Sequence, residues 1–164
     1  MMAAMQRSAH PFAPLVLDDT GSLEAMAAAV MRLHSTLMTV GRCYTTDATG
    51  DRAALELGRV ESVLAGAFCT IFGQSPADRF ANIFDQVTYV ADHMAKDHIF
   101  EDGNKRTSLT LANKILLQAG AGVLTIRDQN MEQFNEALLN YYNTAEAEPL
   151  KAFLYENAIQ GLEL

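Results

Sequence analysis

The run His98-Ile99-Phe100-Glu101-Asp102-Gly103-Asn104-Lys105-Arg106, with the apolar-periodic residues 107–119 directly behind it, decides how the rest of the chain is read. It places a base, a carboxylate, a glycine, an amide and two cations side by side. Such a composition suits phosphate handling: an imidazole accepts a proton near neutral pH, a carboxylate holds Mg²⁺, and the N–H groups that open a helix attract an anion. Behind it Leu109, Leu111, Ala112, Ile115 and Leu116 recur at helical spacing, and Gly120 and Gly122 end the run.

Upstream, Ser75-Pro76 pairs an N-cap residue with a first-turn proline and predicts a helix to about Lys96, with Phe80, Ile83, Phe84, Val87 and Val90 on one face. Asp51 caps a predicted helix that Gly73 stops after Phe72, and Ser22 caps another that Gly41 ends after Val40. Residues 44–50 are polar and read as a loop or short hairpin. Downstream, Val123-Leu124-Thr125-Ile126 suits one short strand, and two helices follow at about 131–142 and 149–160. Residues 1–20, with two prolines, Asp18-Asp19 and no period, form an arm whose Leu15, Val16 and Leu17 are expected to dock on the core. Residues 21–164 then make one all-α domain, a compact bundle of about six helices with one short strand or hairpin, holding loop 98–104 between two central helices.

A chain of 164 residues with 49% hydrophobic content has an ample core for one such domain. Its formal charge of −8, with only 12 Lys and Arg, argues against duplex nucleic acid as a partner, because neutralising phosphates needs a basic face. The acidity is uneven: residues 128–164 carry seven carboxylates against the single Lys151, which reads as a solvated face or a surface for a basic partner. Cys43 and Cys69, outside any ligand-like cluster, read as small buried apolar residues of a reducing compartment. No apolar run is long enough to span a bilayer and no signal-like core opens the chain, so a cytoplasmic protein without membrane contact is expected.

The spacing H-x-F-x-D-x-N-K-R, followed by Thr107-Ser108-Leu109 and an apolar helix, resembles the signature loop of the Fic/Doc family, most closely its Doc branch, the toxins of plasmid and phage addiction modules. Weaker likeness extends from His34 to Gly41, through Leu57-Gly58-Arg59-Val60-Glu61, to Val123 and Ile126. The resemblance implies a Fic/Doc-like catalytic domain in which His98 is the general base toward a protein hydroxyl. Asp102 would bind the Mg²⁺ that bridges nucleotide phosphates, and Phe100 would point inward as the loop's anchor. Gly103, Asn104, Lys105 and Arg106 would form the phosphate-binding start of the helix. It further implies ATP or another nucleoside triphosphate as donor and inhibition in trans by an antitoxin. The implied target is a host translation factor such as elongation factor Tu, modified at a threonine.

The adenylylating branch resembles H-P-F-x-D/E-G-N-G-R-x-x-R, and this chain has Lys105 for its second glycine and Leu109 for its second arginine. Those departures imply that the nucleotide lies differently. The resemblance to the Doc branch implies a reversed nucleotide and transfer of its γ-phosphoryl, although Gly103 matches the adenylylating pattern and keeps AMP transfer as an alternative. A relative that binds a partner without turnover, or a transferase using another donor, are further alternatives. Simpler readings stand beside these. Asp102 could only cap the helix near Gly103, His34 could pack or cap locally or else support the cleft, and His93, Asp97 and His98 lack a fourth ligand for zinc. His10-Pro11-Phe12 mimics the adenylylating motif by coincidence. Residues 44–50 are a candidate flap for aligning the target chain as an added strand. The run Ala152-Phe153-Leu154-Tyr155-Glu156-Asn157 lacks the hydroxyl residue of a self-inhibitory S/T-x-x-x-E-G/N helix.

Overall fold

The computed structural model describes residues 13–17, 19–40 and 48–160. The His10-Pro11-Phe12 run, Gly41, Cys43 and residues 44–47 of the expected loop and flap lie outside them. Seven helices and one two-stranded ladder are described: α1 (Thr20–Val40), α2 (Gly50–Phe68), α3 (Pro76–Arg79), α4 (Ile83–Lys96), α5 (Asn104–Gln118), β1 (Val123–Leu124), a 3₁₀ turn at Asp128–Asn130, α6 (Met131–Thr144), α7 (Glu148–Asn157) and β2 (Ile159–Gln160). The fold is therefore an all-α bundle, and α4 is its centre. It packs most extensively on α5 and also against α2, α6 and α7, while α1 lies across α2 and α5. Ile83, Phe84, Val87, Val90, Ala91 and Met94 of α4 are buried, so this helix shows water little of its surface. Full burial of a side chain the size of Phe84 contributes about 1.5–3 kcal/mol.

Several helix ends differ from the sequence reading. Asp19, not Ser22, caps α1: its carboxylate accepts from the Ser22 backbone N–H at 2.7 Å and from the Ser22 hydroxyl at 2.8 Å, and these bonds hold its pKa below the usual range. α2 begins at Gly50 after an N-cap Thr49, leaving Asp51 in the first turn, and it ends at Phe68, four residues early. Ile71 and Gln74 then exchange both backbone hydrogen bonds at 2.9 Å across Phe72 and Gly73, whose φ values of +49° and +78° make a tight hairpin turn. Gly73 thus shapes a turn and does not stop a helix. The long helix expected from Pro76 to Lys96 is two, α3 and α4, because Asn82 restarts it: Asn82 Oδ1 accepts from the Asp85 N–H at 3.0 Å while Asp85 Oδ2 accepts from the Ala81 N–H at 3.2 Å.

The strand is real but shorter than expected, and its partner comes from the end of the final predicted helix. Val123 faces Gln160 and Leu124 faces Ile159 in an antiparallel pair. Asn113 of α5 secures it, its amide donating to the Leu124 carbonyl and its Oδ1 accepting from the Leu124 N–H at 2.6 Å. Of the arm, Leu17 packs on the core and donates its N–H to the Phe68 carbonyl at 2.8 Å, whereas the Leu15 and Val16 side chains stay exposed. Cys69 is half-buried, and burial pushes its thiol pKa up. The described carboxylates of the C-terminal region, including Glu132, Glu136, Glu146, Glu148 and Glu156, face solvent.

Candidate active site

α4 stops at Lys96, and the chain leaves it through His98 in the left-handed region at φ +45°. Exposure then alternates in blocks: His98 faces out, Ile99 and Phe100 are buried, and Glu101 and Asp102 face out again. A buried ring in mid-loop thus carries the imidazole on one side and the carboxylate on the other. The Phe100 backbone is clamped by Asn104, whose Oδ1 accepts from the Phe100 N–H and whose Nδ2 donates to the Phe100 carbonyl, both at 2.9 Å. Both ends of the Asn104 amide are therefore committed within the loop, where the sequence had suggested a phosphate contact.

Gly103 is the N-cap of α5 at φ +78°, and it offers the helix no side-chain acceptor. A Cβ built there would lie 2.1 Å from Cε of Met38 on α1. Asp102 does not cap the helix in the usual way: its Oδ1 accepts from the adjacent Gly103 N–H at 2.6 Å, one residue short of the first turn. The first-turn N–H groups of α5 lie ahead of the helix's own carbonyl ladder, and the first turn contains no acidic side chain. This is a positively poled helix start without a side-chain cap on its first turn, with cationic side chains at its second and third residues, an arrangement that attracts an anion.

Lys105 reaches across to α6. Its Nζ donates to Asn135 Oδ1 at 2.7 Å and lies 5.6 Å from the Phe134 ring centre. Arg106 is exposed on the first turn of α5. On the other side of Phe100, a cleft of about 280 Å³ is lined by His98, Ile99, Phe100 and Glu101 of the loop and by Arg52, Leu55, Glu56 and Arg59 of α2. Arg52 straps that cleft, with Nη2 3.0 Å from Glu101 Oε2 and Nε 3.4 Å from the buried Glu56, and its hydrogen bond to Glu101 raises the guanidinium pKa further.

Tyr142, Arg52 and Glu56 were not assigned to the site by sequence reasoning. Tyr142 of α6 sets its ring 5.6 Å from that of His98 while its hydroxyl donates to the Ala95 carbonyl at 3.0 Å. Arg52 and Glu56 sit at an i, i+4 spacing that could have flagged an ion pair, but nothing local pointed them toward Glu101. His34, for which local packing or capping and support of the cleft were both open, does the latter: it stacks on Phe100 at 3.7 Å and contacts the Asp102 backbone. Among the described residues no group of three or more His, Cys, Asp and Glu side chains could hold a metal by itself. His93 turns away to stack on Tyr89. A Mg²⁺ at Asp102 would therefore take one carboxylate from the protein and its remaining ligands from phosphate oxygens and water, which fits the habit of that ion and the exposed carboxylate beside an open helix start.

A model of the Fic/DOC family matches residues 23–116, a span running from the first helix through the loop to Leu116 in α5. The chain belongs to the Fic/DOC family. Members of this family are typically transferases that modify other proteins, and the matched span of this Fic/DOC chain contains every residue of the loop and of the α2 cleft wall. The match stops short of the β1–β2 pair, α6 and α7, so Tyr142 and Asn135 reach the loop from outside it. Curated proteins and solved structures returned no match. No described helix is long and apolar enough to cross a membrane.

Proposed function

We propose that this Fic/DOC chain is a Doc-type toxin that moves the γ-phosphoryl group of ATP to a serine or threonine hydroxyl of a host protein. The observation that supports it best is the helix start: α5 opens on a glycine without a side-chain cap, beside an exposed Asp102 and across Phe100 from His98. His98 would take the proton of the attacking hydroxyl. The hydroxyl oxygen bonds to the γ-phosphorus as the bond to the β,γ-bridging oxygen breaks, and ADP leaves with that electron pair. Mg²⁺, held by Asp102, supplies charge neutralisation on the phosphates when bound. The α5 N–H groups and Arg106 stabilise the charge that moves onto the leaving oxygen.

Two observations weigh on phosphoryl against AMP transfer. Lys105 occupies the position where the adenylylating pattern has a second glycine, and Leu109 offers no second arginine. Gly103, the one residue that matched the adenylylating pattern, has a local reason to be glycine: its φ of +78° costs an L-residue about 1–2 kcal/mol. Its presence is therefore no vote for either reaction. The target we favour is a translation factor such as elongation factor Tu, in the cytoplasm, with a separate antitoxin silencing the chain in trans.

The test is intact-mass analysis of candidate translation factors after incubation with the purified chain, ATP and Mg²⁺. One added phosphoryl group, absent with His98→Ala, is the expected result. Addition of AMP instead would transfer the assignment to the adenylylating reaction. No mass change in any factor, together with growth arrest by the His98→Ala variant in cells, would overturn the transferase reading.

A further inference from the structure

The loop that carries His98 and Asp102 is short, exposed on its outer face, and contains two left-handed residues. Backbone held in that region persists only where surrounding contacts over-determine it. Asn104 accounts for one point of restraint, at the Phe100 backbone. The second comes from α1. The His34 ring lies parallel to that of Phe100, with centroids 3.7 Å apart and planes 9° apart. Its Nε2 is 2.9 Å from the Asp102 carbonyl oxygen. A carbonyl can only accept, so Nε2 carries the hydrogen and donates it. One turn on, Met38 is buried, its terminal methyl placed against Gly103. Two residues on one face of α1 thus meet the loop at Phe100, Asp102 and Gly103.

We infer that His34 is a positioning residue for the reaction: by stacking on Phe100 and donating to the Asp102 carbonyl, it sets the separation of the His98 imidazole from the Asp102 carboxylate. The inference rests on the reading of those two groups as base and metal ligand. The reasoning is geometric. Phe100 lies between His98 and Asp102 in the chain, so a displacement of the anchored ring passes through its backbone to both, and His34 stacks on one face of that ring. The bond to Asp102 acts on the peptide unit next to its Cα, where a small twist swings the carboxylate. Misplacing reacting groups by about 1 Å costs on the order of a hundredfold in rate, and loss of an orienting partner behind a metal ligand typically weakens the metal about ten- to a hundredfold.

The experiment compares the full-length chain with His34→Ala and His34→Phe, using amide hydrogen exchange resolved to residues 98–104 and titration with ATP in the presence of Mg²⁺. In His34→Ala, exchange at Phe100 and Gly103 is expected to accelerate at least about tenfold, with α2 and the interior of α5 unchanged. The Kd for ATP with Mg²⁺ should rise about tenfold or more at unchanged stoichiometry. A residue that merely kept the fold intact would instead reduce the number of binding molecules at unchanged Kd. His34→Phe keeps the stack and removes the donor, so Phe100 should stay protected while Gly103 loses protection. Wild-type exchange in both variants would overturn the inference, and so would loosening spread evenly over the helices. If the wild-type chain fails to bind ATP with Mg²⁺, the functional reading fails, and the exchange data alone then decide whether His34 orders the loop.

Discussion

Two segments of this molecule share an unusual backbone and differ in what holds it. The turn 71–74 and the loop 98–104 each place a non-glycine residue in the left-handed region, Phe72 at φ +49° and His98 at φ +45°, and each contains a glycine at φ +78°. In the turn the cost is met locally: two backbone hydrogen bonds close it, and the Phe72 side chain is fully exposed. In the loop, local bonds from Asn104 at the start of α5 are joined by restraints from elsewhere in the sequence, from His34 and Met38 on α1 and Tyr142 on α6. Strain that only a turn type requires can be removed without consequence. Strain that four side chains from three helices maintain has been fixed at one geometry, and geometry is what a phosphoryl-transfer site supplies.

The largest break in that contrast should come from Asn104→Ala. Two hydrogen bonds to Phe100 are lost, and the partly shielded Phe100 N–H and carbonyl are left without their partner, so the cost is about 2–4 kcal/mol. Chemical denaturation should show a lowered midpoint with an unchanged slope, and any transfer activity should fall by at least about two orders of magnitude. A variant that keeps wild-type activity would mean that the loop is held by α1 alone.

That same residue marks the limit of what could be read in the sequence. The spacing of His98, Phe100, Asp102 and Asn104 announced a loop with a buried ring between two exposed functional groups, and the apolar period behind it placed α5. Residue type alone could not say whether the Asn104 amide serves a ligand or the backbone, since both need the same donor and acceptor. The break between α3 and α4 was legible in principle, in the Asn82 to Asp85 cap spacing, but the continuous apolar face through Phe80, Ile83 and Phe84 outweighed it. The β1–β2 pair was not legible. Each strand is two residues long, and partners 35 and 37 positions apart are chosen by the packing of the intervening α6 and α7. For His34 a supporting role near the cleft was one of two readings, but its partners lie 66 and 68 residues away, and nothing around it on α1 distinguishes a brace from a half-buried helix residue.

A smaller effect should separate backbone from packing at Gly103. Gly103→Ala pays the left-handed penalty of about 1–2 kcal/mol and also pushes its methyl into Met38. The contact is with the far end of a flexible side chain, so the steric share should be the lesser one. Shortening the obstacle with Met38→Ala creates a cavity of its own, and the double-mutant cycle isolates the contact. The expected coupling is favourable and about 0.5–1 kcal/mol, measured by denaturation of the four proteins. A coupling near zero would show that Met38 yields freely and that the glycine answers to φ alone.

The smallest effect is expected at the other member of the pair. Phe72→Gly removes a left-handed L-residue and a fully exposed aromatic ring, while the two backbone bonds between Ile71 and Gln74 need no side chain. Relief of the left-handed strain is partly cancelled by the extra freedom glycine gives the unfolded chain, so the net change should be a stabilisation of no more than about 1 kcal/mol. Transfer activity should be unchanged, because no residue of the loop or its cleft touches the turn through any described hydrogen bond or ring contact. Destabilisation beyond that amount would mean that Phe72 is held by something other than turn geometry. The strain at residue 72 would then belong, like that at His98, to a maintained surface.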